Sequence, residues 1–484
     1  MCINKWQLAL NIPNIALHTK FARILKKLKI GGPGLLKVSK FGGSSLASAA
    51  QVSQVCDIIT ADPGRRLIVV SAPGKRHSQD IKVTDLLIAA ASQRLAGKLD
   101  ASECAEVVER YRSIAAELGL PAKVIEPIAS DLTERLQNTT TDADLYMDTM
   151  KAGGEDNCAR LVAQVLQARG VDAHYVNPKD AGLLLSDEPG NAQVLPEAYN
   201  RLRTLQERQG ITIFPGFFGY SKQGNIVTFS RGGSDITGAI LAGAVRAEVY
   251  ENFTDVDSVF AANPSIVKDP APIAELTYRE MRELSYAGFS VFHDEALEPV
   301  YRAHVPVNIR NTNNPDADGT RILPNRTSTD IPVVGIAAME DVCCIYLSKY
   351  LMNRQIGFGR RLLQILEAEE ISFEHVPSGI DNMSVVIREE NLSVQKEKRV
   401  IEQIRQTLAP EDVFVERNLA LIMVVGEGMR HTVGIASRAT SALAGAEVNI
   451  EMINQGSNEV SMMFGIKSGD MELAVQALYA EFFG

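Results

Sequence analysis

The sequence predicts an α/β domain, a three-layer sandwich with a mainly parallel sheet between helices, followed by two smaller α+β units. Two observations support this prediction. From Leu36 to about Asn314, short apolar runs alternate with helical patterns, as expected for a parallel sheet covered on both faces. After Pro332, an order of strand, helix, strand, strand and helix occurs twice with a period of roughly 80 residues, which is the split βαβ plan of ferredoxin-like domains.

In the first part of the chain, apolar runs that close on Pro, Gly, Asn or Asp are predicted to be strands. These strands span residues 37–41, 67–73, 174–178, 211–217, 247–257 and 305–312. Helical patterns cover 156–170 and 235–247, and the charged stretch 100–140 is predicted to be a helical insertion.

In the second part, each copy of the repeat supplies three predicted strands and two predicted helices. The first copy has strands 342–348, 371–376 and 382–388 and helices 358–370 and 396–408. The second copy has strands 419–426, 447–453 and 459–466 and helices 432–445 and 471–482. A linker rich in turn-forming residues, 314–332, precedes both copies.

Four segments are therefore expected: an N-terminal extension over 1–35, the α/β domain over 36–325, and the α+β units over 333–412 and 413–484. The first segment is rich in lysine and contains no Asp or Glu. We expect it to be a disordered extension, with a targeting peptide or an early start codon as alternatives.

Composition excludes several classes of protein. Of the 484 residues, 45% are hydrophobic and 22% are charged, which is typical of globular chains and not of disordered or fibrous ones. A net charge of −10 disfavours a nucleic acid partner. No apolar run reaches the roughly 18–20 residues that span a bilayer, so no membrane association is expected. Six cysteines without a CxxC spacing indicate a reducing compartment, here the cytoplasm.

The segment KVSKFGGSSLASA contains the first candidate site. Gly42 and Gly43 allow the backbone to approach a ligand closely, and a helix is expected to begin near Ser45. The amino terminus of that helix, with the charge of Lys40 beside it, suits a phosphate group. An ordinary strand-to-helix turn is the alternative.

The segment SRGGSD contains the second candidate site. The guanidinium of Arg231 suits a carboxylate, while Ser234 and Asp235 are expected at the start of a helix. An N-cap role for Asp235 is the alternative. In the next segment, NFTDVD, Thr254 and Asp255 follow a strand at the carboxyl edge where open α/β sheets bind ligands, although a polar turn is the alternative.

Three further polar residues complete the candidate set. Ser71 is expected at a strand end and Thr84 at a helix start, where both hydroxyls are donors. Glu155, in GGEDNCA, is expected to open a helix, where the alternative role is a favourable charge at the helix dipole.

Taken together, these segments resemble the aspartokinase family. KFGGSS, VVSAPGKR…KVTDLL, GGED, SRGGSD, NFTDVDSVFAANP and ELSYAGFSVFHDEAL occur in the order and spacing of that family, and the similarity covers residues 36–484. The resemblance implies an amino acid kinase fold followed by paired ACT domains. It also implies ATP-dependent phosphorylation of the side-chain carboxylate of L-aspartate, the first step towards lysine, threonine and methionine, with Mg²⁺ held by the phosphates of ATP and no direct protein ligand.

The resemblance also assigns roles to residues. Lys40, Arg231 and Asp235 are expected to be catalytic. The expected ATP side comprises Lys40, Gly42, Gly43, Ser44, Thr254, Asp255 and Phe260. The expected aspartate side comprises Ser71, Thr84, Glu155, Arg231 and Ser234. The sequence departs from the family pattern at Ser290, Phe260 and Ser265, where the family has lysine, tyrosine and arginine.

The first repeat is similar to that of lysine-responsive members of the family. The predicted effector residues are Met352, Phe358, Ser372, Glu374 and Asp381, with the two carboxylates facing an α-amino group. Residues of an interface are the alternative. Lysine is the first candidate effector, and threonine or the two together remain open. Edge strands in such units predict pairing between chains, hence a homodimer or larger assembly.

Two other functions were weighed. A related kinase such as an N-acetylglutamate kinase is disfavoured by the tandem repeat. An amino acid sensor with an inactive kinase domain is suggested by Ser290 and Ser265. A fused homoserine dehydrogenase is not expected, because no Rossmann fingerprint follows the repeat.

Overall fold

A computed structural model describes the chain over residues 36–98, 101–138, 142–230, 232–289, 291–326, 331–456 and 460–484. The predicted extension over 1–35 lies outside the described residues, as do two residues singled out by the sequence analysis, Arg231 and Ser290.

Fifteen strands are described, in three sheets. In chain order they are β1 (Lys37–Phe41), β2 (Arg65–Val70), β3 (Ala173–Tyr175), β4 (Ile211–Pro215), β5 (Phe218–Tyr220), β6 (Ile226–Thr228), β7 (Val249–Thr254), β8 (Glu275–Thr277), β9 (Val307–Asn311), β10 (Thr320–Leu323), β11 (Gly335–Ser348), β12 (Asn382–Arg388), β13 (Asp412–Val425), β14 (Met452–Gln455) and β15 (Ser461–Lys467).

The helices of the described residues are α1 (Ala49–Ala61), α2 (Val83–Leu95), α3 (Ser102–Glu117), α4 (Glu126–Gln137), α5 (Ala143–Ala168), α6 (Pro178–Ala181), α7 (Pro196–Leu202), α8 (Gly233–Val245), α9 (Tyr278–Tyr286), α10 (Leu297–Ala303), α11 (Phe358–Ala368), α12 (Val394–Leu408), α13 (Ile435–Gly445) and α14 (Met471–Phe483). None of them is both long and apolar enough to cross a lipid bilayer.

The first sheet has eight strands in the order β3-β4-β2-β1-β7-β9-β10-β8. The six strands from β3 to β9 in this order run parallel, and only the pair β9 and β10 is antiparallel. The prediction of a mainly parallel sheet is therefore confirmed. Because the central strands are parallel, the loops after β4, β2, β1, β7 and β9 meet at one edge of the sheet.

Apolar cores lie on both faces of this sheet. On one face, alternate residues such as Val38 of β1 pack with Ile240 of α8. On the other face, Phe41 of the same strand packs with Val52 of α1 and Leu87 of α2. This arrangement is the predicted three-layer sandwich, and it follows from strand side chains that alternate between faces.

The second half of the chain forms one five-stranded antiparallel sheet in the order β12-β11-β13-β15-β14. The two repeats share it, because β11 and β13 pair with each other along nearly their whole length. The apolar side chains of β13 alternate: Leu421 packs towards the first domain, whereas Ile422 packs against α13 and α14. A sheet buried on both faces explains the nearly continuous apolar run LALIMVVG.

The boundary between the two repeats at residue 412 stays a prediction. The structure shows that β11 contributes to the apolar cores of both repeats. The start of β11 belongs to the apolar core of the second repeat, since Ile336 packs with Phe464 and Leu478. The end of β11 belongs to the core of the first repeat, where Ile345 packs with Leu362.

Two predicted starts of helices are wrong. The helix after the Gly-Gly turn begins at Ala49, not near Ser45, because Ser44–Leu46 forms a separate 3₁₀ turn and Ser48 supplies the N-cap. Glu155 does not open a helix but lies midway along α5. The two positions before it are glycine because α5 packs too closely against its neighbours to accept a side chain there.

Two predicted strands are also wrong or displaced. Residues 371–376 form one isolated bridge to β12, at His375, and no continuous strand, since Pro377 has no N–H to extend the ladder. The strand predicted over 447–453 is only Met452–Gln455, because Glu447 has a φ of 58° and Val448 still bonds to the end of α13.

We predict that Gly154→Ala destabilises the chain by about 1–3 kcal/mol, the usual cost of overpacking a core. A Cβ atom at this position would lie 2.8 Å from the Cβ of Ala72, at the end of β2. Thermal unfolding followed by circular dichroism measures the effect. Gly445→Ala is the matched control, since a Cβ there meets no atom within 4 Å. An equal midpoint for both variants would contradict the prediction.

Candidate active site

The pairing of β1 with β7 positions the central residues of the candidate site. Lys40 lies opposite Asn252, and Phe41 lies opposite Phe253. The two phenyl rings stack with centroids 4.8 Å apart on one face of the sheet. Lys40 and Asn252 therefore project together from the other face, towards α8.

A cluster of three side chains is centred on Lys40. Its ammonium Nζ lies 2.6 Å from Asp235 Oδ1 and 3.5 Å from Asn252 Oδ1. The amide of Asn252 also donates to Asp235 Oδ1, at 2.7 Å. Lys40 and Asn252 are buried. The sequence analysis missed Asn252, because its proximity to Lys40 follows from strand pairing between residues 212 positions apart.

The first turn of α8 brings Asp235 to this cluster. Gly232 is the N-cap residue and no side chain caps the helix, so the alternative N-cap role of Asp235 is wrong. Ser234 is buried against Gly216, where a Cβ would lie 2.5 Å from the Ser234 hydroxyl. Tyr250 of β7 donates to the backbone oxygen of Asp235 at 3.1 Å. These contacts fix where the carboxylate points.

The Gly-Gly turn after β1 packs directly on the loop after β2. Gly74 N donates to Gly43 O at 2.8 Å, and Gly42 N donates to Phe253 O at 3.2 Å. A Cβ on Gly43 would lie 2.9 Å from the carbonyl oxygen of Ala72, so only glycine fits. The two loops thereby place Gly42 and Gly43 beside the end of β7.

An ion network that includes Arg110 of α3 holds the loop after β2 in place. Arg110 of α3 donates to Gly74 O at 3.1 Å and to Asp80 at 2.9 Å. Arg76 binds the same carboxylate at 2.8 Å. These contacts hold the pKa of Asp80 well below its usual range, the largest cause being the hydrogen bond from Arg76.

Glu155 is a buried carboxyl group on the side of β2. Burial raises its pKa to about 8, against an opposing hydrogen bond from the backbone of Ala72. Its Oε2 has no hydrogen-bond partner within the described part of the chain. Ser71, half-buried at the end of β2, directly precedes Ala72. Thr84 lies in the first turn of α2, as predicted.

A second cation, the half-buried Lys151, lies one turn before Glu155 on α5. Lys151 Nζ lies 2.7 Å from Asp148 and 5.9 Å from the ring centroid of Phe217. Asp148 also accepts from the backbone and hydroxyl of Thr228, at 2.7 and 2.9 Å. Lys151 is not among the residues predicted from the sequence, although it lies only two positions before the GGEDNCA segment.

The predicted nucleotide residues of β7 lie at the same edge of the sheet. Thr254 is half-buried and its hydroxyl donates to the exposed carboxylate of Asp255 at 3.1 Å. Ser44 is exposed in the 3₁₀ turn after β1. Phe260 is half-buried in the following loop and forms an isolated bridge with Pro272.

The predicted effector residues are spread over the first repeat. Met352 and Phe358 are buried in its apolar core. Asp381 accepts from the backbone N–H of Leu351 at 2.8 Å. Ser372 is exposed and accepts from Asn391 at 3.1 Å.

Glu374 connects the first repeat to the kinase-like sandwich. Its carboxylate accepts a short hydrogen bond from Tyr286, at the end of α9, and pairs with Arg388 at 3.1 Å. An effector amino group at Glu374 would have to share this carboxylate. The hydrogen bond from Tyr286 therefore makes Glu374 a contact between the two halves of the chain.

The second repeat contacts the loop that follows β7. Ile336 N donates to Ala261 O at 2.7 Å, and Ala271 N donates to the hydroxyl of Tyr479 at 2.8 Å. Ala262 and Val267 lie in the apolar core of this repeat. The loop containing Phe260 is thus built on the five-stranded sheet that the two repeats share.

Comparisons with known proteins agree with this architecture. The profile of the amino acid kinase family matches residues 36–311, and an ACT domain profile matches 422–482. Aspartokinase 3 of Bacillus subtilis (strain 168) is 60% identical over 449 residues, which cover 93% of this chain and 99% of that protein.

Solved structures give the same result. The aspartate kinase of Clostridium acetobutylicum superposes with a TM-score of 0.78 at 35% identity, covering 93% of this chain and 100% of that one. Escherichia coli aspartokinase III, solved with aspartate and ADP, superposes with a TM-score of 0.76 at 25% identity and the same coverage. The same enzyme with lysine and aspartate gives a TM-score of 0.69.

We predict that Glu155 makes stability fall as the pH rises from about 5 to 8. Its pKa is about 8 in the folded chain against 4.5 for an ordinary glutamate, so the folded state binds the extra proton in this range. Glu155→Gln removes the effect, and its melting temperature is expected to change less with pH than that of the unchanged chain. Glu117→Gln, at an exposed position, serves as the control. If the melting temperature of Glu155→Gln changes with pH as much as that of the wild-type chain, the raised pKa of Glu155 is contradicted.

Proposed function

Because the chain belongs to the amino acid kinase family and, within it, to the aspartokinases, we propose that the cluster of Lys40, Asp235 and Asn252 is its catalytic centre. The reaction transfers the terminal phosphoryl group of ATP to the side-chain carboxylate of L-aspartate and gives 4-phospho-L-aspartate. The observation that carries the assignment of the centre is the pair of buried Lys40 and half-buried Asp235, 2.6 Å apart at the carboxyl edge of the parallel strands.

The chemistry explains why a buried cation is needed there. The nucleophile is a carboxylate with an ordinary pKa near 3.9, already ionised at neutral pH, so no strong general base is required. An anion must instead approach a triphosphate, and positioning with charge neutralisation accounts for most of phosphoryl transfer catalysis. Lys40 supplies positive charge to the transferring group, while Asp235 fixes the direction of its ammonium.

On the aspartate side, we propose Ser71, Thr84, Glu155, Arg231 and Ser234 as the binding residues. The unpartnered Oε2 of Glu155 suits the α-ammonium group of the substrate. A cation there favours the ionised carboxylate and lowers its pKa from about 8. Arg231 is proposed for the carboxylate of aspartate because its planar guanidinium binds in a bidentate manner.

On the nucleotide side, we propose the backbone of Gly42, Gly43 and Ser44 for the phosphates, with Thr254 and Asp255 beside them. Phe260 is proposed to flank the adenine ring. Within the described residues, no three His, Cys, Asp or Glu side chains are grouped so as to hold a metal ion. Mg²⁺ is proposed to bind the phosphates of ATP, where it neutralises negative charge. The expectation of a cytoplasmic location also stays a proposal.

A coupled assay of ADP release distinguishes this function from its alternatives. Activity with L-aspartate supports an aspartokinase, activity with N-acetylglutamate alone would indicate the related kinase, and none with either would indicate a sensor. The matches to aspartokinases over 93% of the chain favour the first outcome.

We further propose that an amino acid effector, lysine first and threonine or both as alternatives, binds the first repeat near Met352, Phe358, Ser372, Glu374 and Asp381. A homodimer or larger assembly through the five-stranded sheet is proposed from its edge strand β14, because the outer edge of β12 is already bridged by His375 and Ser378. The contact between Glu374 and Tyr286 offers a route from this site to the kinase domain. Such control requires that the effector bind two states of the chain with different affinity.

We predict that Lys40→Ala lowers kcat by at least about a hundredfold, the scale of losing one electrostatic stabiliser. Formation of acyl phosphate, trapped as the hydroxamate, measures the rate. Lys37→Ala is the control, because this lysine lies on the same strand but on the other face, paired with Asp62 at 2.8 Å. Near-normal kcat for Lys40→Ala would reject the role.

We predict that Tyr286→Phe weakens the response to the effector while leaving basal kcat within about twofold. The hydroxyl that contacts Glu374 is lost, and allosteric coupling of typical strength then changes the half-inhibiting concentration of lysine by about fivefold or more. Tyr301→Phe, at a largely exposed position on α10, is the control. An unchanged lysine response would contradict this route, and no response of the unchanged chain to any amino acid would reject the regulatory proposal.

A further inference from the structure

Asn252 contacts both members of the proposed catalytic pair, Lys40 and Asp235, from the strand next to Lys40. Its side-chain amide lies on β7 directly opposite Lys40 on β1. The nitrogen donates to Asp235 Oδ1 at 2.7 Å, and the oxygen lies 3.5 Å from Lys40 Nζ. Only 1% of the residue is exposed, so solvent does not compete for these contacts.

An amide suits this position for a chemical reason. The oxygen Oδ1 of Asp235 already accepts from the ammonium of Lys40, and the amide adds a second donor without adding charge. The amide oxygen accepts from the ammonium, which has three donors. Asp235 and Asn252 therefore each accept from one of these donors and leave the third for a phosphoryl group.

We propose that Asn252 is a positioning residue for phosphoryl transfer: it fixes the Asp235 carboxylate and the Lys40 ammonium in their working orientation, without contacting either substrate. This inference rests on the proposed function of Lys40 and deepens it. A residue that acts through the orientation of a stabilising cation changes the transition state more than the binding of substrates.

The first test is Asn252→Leu, which keeps the approximate size of the side chain and removes both hydrogen bonds. We expect kcat to fall by about tenfold to a hundredfold, with KM for ATP and for aspartate within about threefold of the unchanged enzyme. Asn157→Leu is the matched control, because Asn157 is also a buried amide, held by Asp131 at 2.7 Å on α5. Near-normal kcat for Asn252→Leu, or a change in KM alone, would overturn the inference.

The second test is a double-mutant cycle with Lys40→Ala. If Asn252 acts by orienting Lys40, directly and through Asp235, the double variant is expected to be no slower than Lys40→Ala alone, whereas independent effects would multiply. Should Asn252→Leu fail to fold, Asn252→Asp has the same shape and places a second carboxylate against Asp235, so a loss of at least about tenfold in kcat is expected. Multiplying losses, or full activity of Asn252→Asp, would overturn the inference.

These outcomes are distinguishable from failure of the proposed function. An unchanged enzyme that does not phosphorylate aspartate rejects the function itself. If the wild-type enzyme is active and Lys40→Ala lowers kcat but Asn252→Leu does not, only the role of Asn252 is rejected.

Discussion

The register between β1 and β7 is the constraint on which the rest of the site depends. On one face it places Lys40 beside Asn252, and on the other it places Ser39 beside Glu251. Glu251 is bound there by Arg65 at 2.7 Å, by Ser39 at 2.9 Å and by Arg310 at 3.1 Å. A slip of one residue would turn every side chain of β1 to the opposite face and separate the charges on both. The two buried polar networks therefore specify the same register.

Close packing of backbone is the second requirement. Gly43 and Gly74 bring the loops after β1 and β2 together, and Gly216 lets the start of α8 approach β4. A site that binds two anions needs several donors within a small volume, and side chains at these positions would hold the loops apart. Glycines that the sequence alone suggests as turn residues are therefore positions of close backbone packing in the fold.

The five-stranded sheet that the two repeats share gives a physical basis for control of the kinase domain by the repeats. Residues 419–425 of its strand β13 are buried on both faces, and one of these apolar surfaces is continuous with the core of the kinase domain. The loop containing Phe260 and helix α9 both rest on it, through Ile336 and Glu374 respectively. Because packed interiors transmit displacements instead of absorbing them, a shift within this sheet reaches both the loop containing Phe260 and α9.

The sequence by itself determined the layered α/β domain, the repeat and most of the candidate residues, because these depend on local periodicity and on motifs within short segments. It placed Lys40 and Asp235 in one site, although Arg231 lies outside the described residues. Only the tertiary structure decided what joins distant segments: the pairing of Lys40 with Asn252, the position of Glu155 in the middle of α5, and the sharing of β11 between two cores. Strand register and helix packing depend on contacts between residues far apart in the chain, and no local pattern encodes them.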